Sequence, residues 1–570
     1  MTLRQLVLPL ALLLFLTDCQ PASDPIEPAD LVLQGGKIVT VDADGAVVEA
    51  LAARDGRIVA LGSSDEIGAY IGEGTEVVAL DGRLAVPGFI EGHGHFMGLG
   101  DSRIQLDLRQ AGSWDDIVAQ VEAAVAGAEP GEWIRGRGWH QDKWSAVPEP
   151  HVEGFPVHDG LSAISPENPV LLTHASGHAL FANAKAMELA SVDGSTADPP
   201  GGEILHGGDG QPMGLFRETA QDLIHAARGE GPSAAEQKKM AELAAQECLA
   251  KGITSFQDAG SSLETIQFLR DLIEDGATLP RLWMMVRASN DDLRQHLGAV
   301  VEATRDDERL RVGGIKLSID GALGARGAWL LEPYSDSPGS TGLNLVPLDV
   351  AQETAEIAIE EGVQLCIHAI GDRANREVLD LFQATFEAHP DKSDLRWRIE
   401  HAQHLHPEDI PRFAELGVVA SMQAVHCTSD GPWVPDRLGD QRSEEGAYVW
   451  RKLIDSGALV TNGTDAPVED VSAIASYYSS VSRLLPDGTR FYPDQVMSRQ
   501  EALESYTLHV AQAVFEEGVK GSLEVGKLAD VVVLSQDLLT IPEEDIPATQ
   551  VDVTILGGEV VHRRGPEAGS

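Results

Sequence analysis

The sequence predicts an α/β fold: a TIM (β/α)8 barrel with a small composite β-sandwich built from both termini and an insertion after the first barrel strand. Three observations predict it. Eight strand-like apolar runs recur through the middle of the chain, with helical stretches between them. Short strands of similar texture stand at both ends. Histidines, a lysine and an aspartate recur at the ends of the central strands, where a barrel carries its chemistry.

The first 18 residues read as a lipoprotein-type signal peptide. Arg4 opens a positive start, residues 6–16 are apolar but short for a membrane span, and the stretch closes on Leu16-Thr17-Asp18-Cys19. This resembles a bacterial lipoprotein signal, with Asp18 in place of the small residue usual before the lipidated cysteine. It places the protein outside the cytoplasm, periplasmic or membrane-anchored, and gives it a membrane contact only through that lipid; an uncleaved anchor or ordinary secretion are the alternatives. Residues 19–29, rich in Pro, Ala, Asp and Glu, read as a tether.

Residues 30–84 and 520–565 form the expected sandwich. Apolar runs at 31–33, 37–41, 46–48, 57–61 and 77–80 are separated mostly by Gly and Asp, and runs at 529–534, 551–556 and 559–562 match them at the other end. Residues 85–519 form the expected barrel. Its strands fall at 84–90, 253–256, 282–286, 312–319, 363–367, 395–399, 418–422 and 459–461, with helices such as 234–251 and 350–361 between them. The segment 100–221 is too long for one crossover and reads as an insertion folded over the barrel mouth as a substrate lid.

The first barrel run leads into the motif Leu84-Ala85-Val86-Pro87-Gly88-Phe89-Ile90-Glu91-Gly92-His93-Gly94-His95. Residues two apart on a strand point the same way, so His93 and His95 aim at one point. An isolated His-x-His in a Gly-rich loop is more often two exposed histidines. Here Lys316 in the fourth run, His368 and His401 at the ends of the fifth and sixth, and Asp465 after the eighth share the same barrel rim. Each alone has a plain structural explanation, such as a Lys316–Asp320 pair; together they read as a metal centre. Four His and an Asp suit Zn2+ or another borderline divalent ion. Such an ion lowers the pKa of water towards ~7 and polarises a carbonyl, with Asp465 as general base. No Gly-x-Ser-x-Gly elbow or Gly-x-x-x-x-Gly-Lys loop offers a rival chemistry.

Composition narrows the partners. The net charge is -48, spread along the chain, which excludes nucleic acid and leaves a small-molecule substrate. With Cys19 lipidated, Cys248, Cys366 and Cys427 are too few for a disulfide framework and read as core residues. Oligomeric state has no signature in the sequence.

These motifs, with Lys316 to Leu323, His368 to Ala374, Arg398 to Gln403, Ser421-Met422-Gln423, Gly463 to Val468 and Gly521 to Asp530, resemble the amidohydrolase superfamily. Within it they are similar to the amidohydrolase-3 branch that contains N-substituted formamide deformylase and many uncharacterised metal-dependent hydrolases. The resemblance implies a barrel with a composite sandwich. It implies that His93, His95 and Asp465 hold one metal, and that His368 and His401 hold a second or one of them serves the substrate. It also implies that Lys316 stands where some members carry a carboxylated lysine bridging two metals. His178, in Ser176-Gly177-His178-Ala179-Leu180, resembles a family motif and is a candidate substrate contact. Asp258, Arg326, Arg373, Gln423 and His426 follow strand ends; Arg326 and Arg373 are candidates for an anionic substrate group, with surface ion pairs as the alternative. Trp139, Trp144 and Trp433 are candidate pocket walls or core residues.

The expected activity is metal-dependent hydrolysis of a non-peptide carbon–nitrogen bond in an amide, formamide or cyclic amide. The alternatives are an esterase or lactonase using the same site, and a non-catalytic binding lipoprotein.

Overall fold

The computed structural model describes residues 26–229 and 231–565. The signal-like leader lies outside the described residues, as does the tether up to residue 25. Glu27 and Pro28 accept hydrogen bonds from Arg54, and Ala29 donates to the Tyr70 carbonyl at 2.8 Å, so the end of the expected tether is held against the folded body.

Eight parallel strands form the barrel sheet: β1 (Phe89–Gly94), β2 (Ile253–Ser261), β3 (Arg281–Val286), β4 (Leu310–Ser318), β5 (Gln364–Ala369), β6 (Arg398–His401), β7 (Val419–Met422) and β8 (Val460–Asn462). Neighbours in sequence are neighbours in the sheet. The two ends of the sheet meet just past β8. There the Asp465 amide donates to the His93 carbonyl at 2.7 Å, and the Thr464 amide donates to the Glu91 carboxylate at 2.6 Å. Helices cover the outside and begin where the sequence caps them; Ser233 and Glu236 form a capping box at the helix Ala234–Ala250, which leads into β2.

The apolar run 84–90 is not one strand. It breaks at Gly88, where an added Cβ would lie 2.1 Å from the Thr254 hydroxyl on β2. Before that point Leu84–Pro87 pairs with Val531–Leu534 and Lys37–Val39 in a six-stranded sheet that combines strands from both chain ends. A four-stranded sheet holds Leu31–Gln34, Ala50–Arg54, Arg57–Gly62 and Glu76–Ala79. Leu31, Leu33 and Leu51 of this sheet pack with Ile38, Val531, Val533 and Ile555 of the other in one apolar cluster. Ala50–Arg54 has no strand signal in sequence because alanine is a poor strand former; burial of Ala50 to Ala53 supplies what propensity lacks.

The long segment between β1 and β2 carries a six-stranded sheet of its own, containing Ile134–Trp139, Val170–His174 and Pro212–Glu218. It has separate apolar clusters, one of which includes Trp139 and Trp144. Those two tryptophans are packing residues. Cys248, Cys366 and Cys427 are buried and free, as core residues. No helix among the described residues is long and apolar enough to cross a membrane.

Candidate active site

At the C-terminal rim of the barrel, ligand atoms of His93, His401 and Asp465 all lie within 4.8 Å of one another. His95 Nε2 stands 3.2 Å from Asp465 Oδ1, and the His368 ring centroid is 4.5 Å from that of His401. His401 and Asp465 have left-handed backbones, with φ of 75° and 56°. This conformation is uncommon for non-glycine residues and is retained where a site demands it. Here it turns both side chains inward as their strands end.

Hydrogen bonds fix which ring nitrogen of each histidine faces the cluster. His93 Nδ1 donates to Glu400, leaving Nε2 as a lone-pair donor without a partner. His401 Nδ1 donates to Gln423 Oε1 at 2.6 Å, which directs its Nε2 inward. A carboxylate behind a histidine fixes its tautomer and raises its basicity as a ligand. Glu400 is itself clamped by Arg398, fully buried inside the barrel, at 2.7 and 3.2 Å; Arg398 also binds Gln257, the Gly92 carbonyl and Ser421.

Burial would by itself raise the Glu400 carboxyl, but Arg398, His93 and Lys316 hold it well below the carboxylate range. Burial lowers His93 to about 4 and Lys316 to about 8, so the imidazole is neutral and part of the amine is too. Asp465 is likewise held well below its ordinary value despite burial, chiefly by the hydrogen bond with His95.

The other sequence candidates divide. His178, carried in from the insertion, sits with its ring centroid 4.9 Å from His368 and donates Nδ1–H to Glu218 at 2.7 Å. Burial opposes its charge, yet Glu218 raises its pKa. His426 stacks over His401 at 6.2 Å, and Trp433 lines the cavity. Arg326 and Arg373 are not at the site. Arg326 pairs with Asp336 at 2.8 Å, and Arg373 lies over the Trp329 ring at 4.5 Å. Both come after strand ends, but Arg373 opens the helix Asp372–Ala388 and Arg326 is turned to Asp336, so neither lines the cavity. Asp258 accepts from the Phe96 amide at 2.9 Å and pins the turn after His95. Asp320 does not pair with Lys316; it accepts three backbone amides, of Trp329, Ile370 and Gly371.

Sequence reasoning missed Glu218 and the arginines 135, 137, 228 and 287, which line the cavity. The signal for two of them was present in Ile134-Arg135-Gly136-Arg137-Gly138, since residues two apart on a strand share a face.

The buried Nε2 of His93, which has no hydrogen-bond partner, and Oδ1 of Asp465, which faces Nε2 of His93 and of His95 at 3.6 and 3.2 Å, share one space with His401, and a nitrogen–oxygen donor set of this kind fits a borderline divalent cation.

Residues 76–562 match the family model described as the amidohydrolase family. The chain belongs to that family. As an amidohydrolase it is a hydrolase acting on carbon–nitrogen bonds other than peptide bonds. It is 33% identical to Protein LONG AFTER FAR-RED 3 of Arabidopsis thaliana over 94% of this chain and 92% of that protein. It is 26% identical to N-substituted formamide deformylase of Arthrobacter pascens, over 94% of this chain and 98% of that one. Among solved structures this amidohydrolase is similar to an uncharacterised metal-dependent hydrolase of Pyrococcus horikoshii OT3, with a TM-score of 0.72 at 26% identity, covering 90% of this chain and 99% of that chain.

Proposed function

We propose that this amidohydrolase cleaves a small amide, formamide or cyclic amide at the rim cluster, with zinc as its divalent cation. The observation that carries the proposal is the convergence of His93, His401 and Asp465, with Nε2 of His93 and of His95 facing Oδ1 of Asp465 at 3.6 and 3.2 Å. These residues and His95 would hold a first ion. This differs from the division that the family resemblance implies, in which His401 stands with His368. His368 and Lys316 are then left for a second ion or for substrate. The neutral fraction of Lys316, roughly a tenth at pH 7 for a pKa near 8, is the form that takes up carbon dioxide to become a carboxylated ligand. A bound divalent cation supplies polarisation of the scissile carbonyl and acidification of water.

The residues do the rest. Asp465 is ionised throughout the neutral range, so it accepts a proton from the attacking water and returns it to the leaving nitrogen. His178, with Nδ1 held by Glu218, presents Nε2 to the oxygen that gains charge. The insertion brings His178 to the cluster, beside His368.

The test is a panel of N-formyl, N-acyl and cyclic amides, with matched esters and lactones, assayed on zinc-loaded protein and again after chelation. Zinc-dependent turnover of an amide supports the proposal. Turnover confined to esters replaces it with the esterase reading. Reconstituted protein that retains no zinc and turns over nothing would be a binding protein.

A further inference from the structure

The cavity has two arms that share His178, His368, His401 and Asp465. The narrow arm, of about 50 Å3, is walled by Leu323, Ile370 and Trp433. The wide arm, of about 390 Å3, has a different character: Arg135, Arg137, Arg228 and Arg287 line it.

Many of this chain's other arginines meet carboxylates, although the buried Arg483 is held by backbone carbonyls. Arg281 meets Asp530 at 2.7 Å, and Arg437 meets Asp142 and Asp336 at 2.6 Å each. In the wide arm only Arg135 is matched, to Asp101 at 2.8 Å. Among the described residues no carboxylate lies within 4.0 Å of the guanidinium nitrogens of Arg137, Arg228 or Arg287. Arg137 makes one hydrogen bond, to the Ala175 carbonyl at 3.2 Å, and its buried Nε has no partner. Arg287 makes one, to Ser318 at 3.3 Å. Arg287 is exposed by area yet ringed by protein, and that surrounding lowers its pKa as burial lowers that of Arg137. The acid whose charge reaches Arg137 most strongly is Asp465, already committed to the histidine cluster.

The backbone is shaped to leave these groups room. Gly260 has φ 121°, and an added Cβ there would stand 2.9 Å from Arg287 Nε and 3.1 Å from Lys316 Cγ. For Arg137, whose buried Nε has no partner, this arrangement is costly unless an anion neutralises it. A chain of net charge -48 repels anions at long range, so a concentration of unmatched cations at the reaction centre is a local device for admitting one. Planar guanidinium forks bind carboxylate in paired hydrogen bonds.

We propose that the substrate carries a carboxylate, held in the wide arm by Arg137 of the insertion and Arg287 of the barrel, while its hydrolysed bond lies at the histidine cluster. This rests on the hydrolase reading above for what happens at the cluster, but not for the anion site itself. It also makes the insertion a specificity element, because the anion then bridges the insertion and the barrel.

Calorimetric titration of the zinc-loaded protein with benzoate, benzamide and inorganic phosphate tests it. Benzoate is expected to bind at least ~10-fold more tightly than benzamide, and added salt is expected to weaken benzoate alone. In Arg137→Gln and Arg287→Gln the preference is expected to fall at least ~10-fold, with Arg137→Lys recovering part of it. The salt dependence needs no variant, so it stands if a substituted protein folds poorly. Equal affinity for benzoate and benzamide overturns the proposal. So does benzoate affinity unchanged in both variants, which would mean that the anion binds at the metal instead. Phosphate binding tighter than benzoate overturns the carboxylate assignment. Because the readout is binding, a protein that hydrolyses nothing in the amide panel still decides the question.

Discussion

The backbone amide of Asp465 donates to the carbonyl of His93 over 2.7 Å, so the two ends of the barrel sheet are joined by the residues that form the candidate metal centre. The same two residues therefore serve both the closure of the barrel and the centre. Glu91 strengthens the joint by accepting from the Thr464 amide and hydroxyl, at 2.6 and 2.9 Å, and from the His93 amide at 3.3 Å.

Asp465→Asn keeps the side-chain size but removes the base. Turnover of any amide substrate is expected to fall by 10²–10⁴-fold, roughly the worth of a positioned general base, with the thermal unfolding profile retained. Steady-state kinetics beside a melting curve check this. Native-level kcat in the variant would refute the role assigned to the carboxylate.

Glu400 acts through His93. Glu400→Gln leaves an amide that cannot hold the imidazole tautomer as a carboxylate does, and zinc affinity is expected to drop by about 10–100-fold. Competition with a chromogenic chelator measures it. An unchanged zinc dissociation constant would show that the contact is only structural.

His404 predicts part of the acid sensitivity. Burial holds it at about 3, against 6.5 for the free side chain, and neither ring nitrogen has a hydrogen-bond partner. Between those two values the unfolded chain binds a proton that the folded chain does not. The neutral ring's contribution is thus complete above pH 6.5 and is lost as pH falls towards 3. His404→Leu is expected to flatten the acid limb of stability by up to about 1.4 kcal/mol per pH unit within this window. Denaturant melts at pH 7, 6 and 5 give the slope; parallel curves for the two proteins would disprove it.

Arg281 and Asp530 form a buried bidentate pair, at 2.7 and 3.1 Å, between β3 and the entry to Val531–Leu534. Arg281→Met strands the carboxylate, which also accepts from the Gly557 amide. A loss of about 3–5 kcal/mol is expected, the usual result of breaking a buried pair from one side. The double variant with Asp530→Leu is expected to recover most of it. A single-variant loss below ~1 kcal/mol would place the pair among weak surface contacts.

Much of this was legible in sequence. The period of apolar runs marked eight strands because a buried parallel strand needs an unbroken apolar stretch. His93, His95, Lys316, His368, His401 and Asp465 could be read as one set because each lies within, ends or follows such a run, and a barrel gathers strand ends at one rim. What periodicity cannot report is direction after a strand stops. Arg373 sits as near to its strand end as His178 does to its own, and Arg326 a turn further on, yet they meet Trp329 and Asp336, away from the cavity. The break at Gly88 was hidden for a related reason: an apolar run looks the same whether one sheet or two will bury it, and only the approach of Thr254 separates them.

The sequence by itself determined the class of fold, the residue types at the rim and the chemistry they suit, since these follow from local pattern and donor identity. The tertiary structure alone decided which atoms face one another. It set the ring nitrogens of His93 and His401 through Glu400 and Gln423, and it brought Arg137 and Arg287, 150 residues apart in the chain, to one unmatched cationic arm. Hydrogen-bond direction and charge matching depend on distances across the fold, which chain order does not contain.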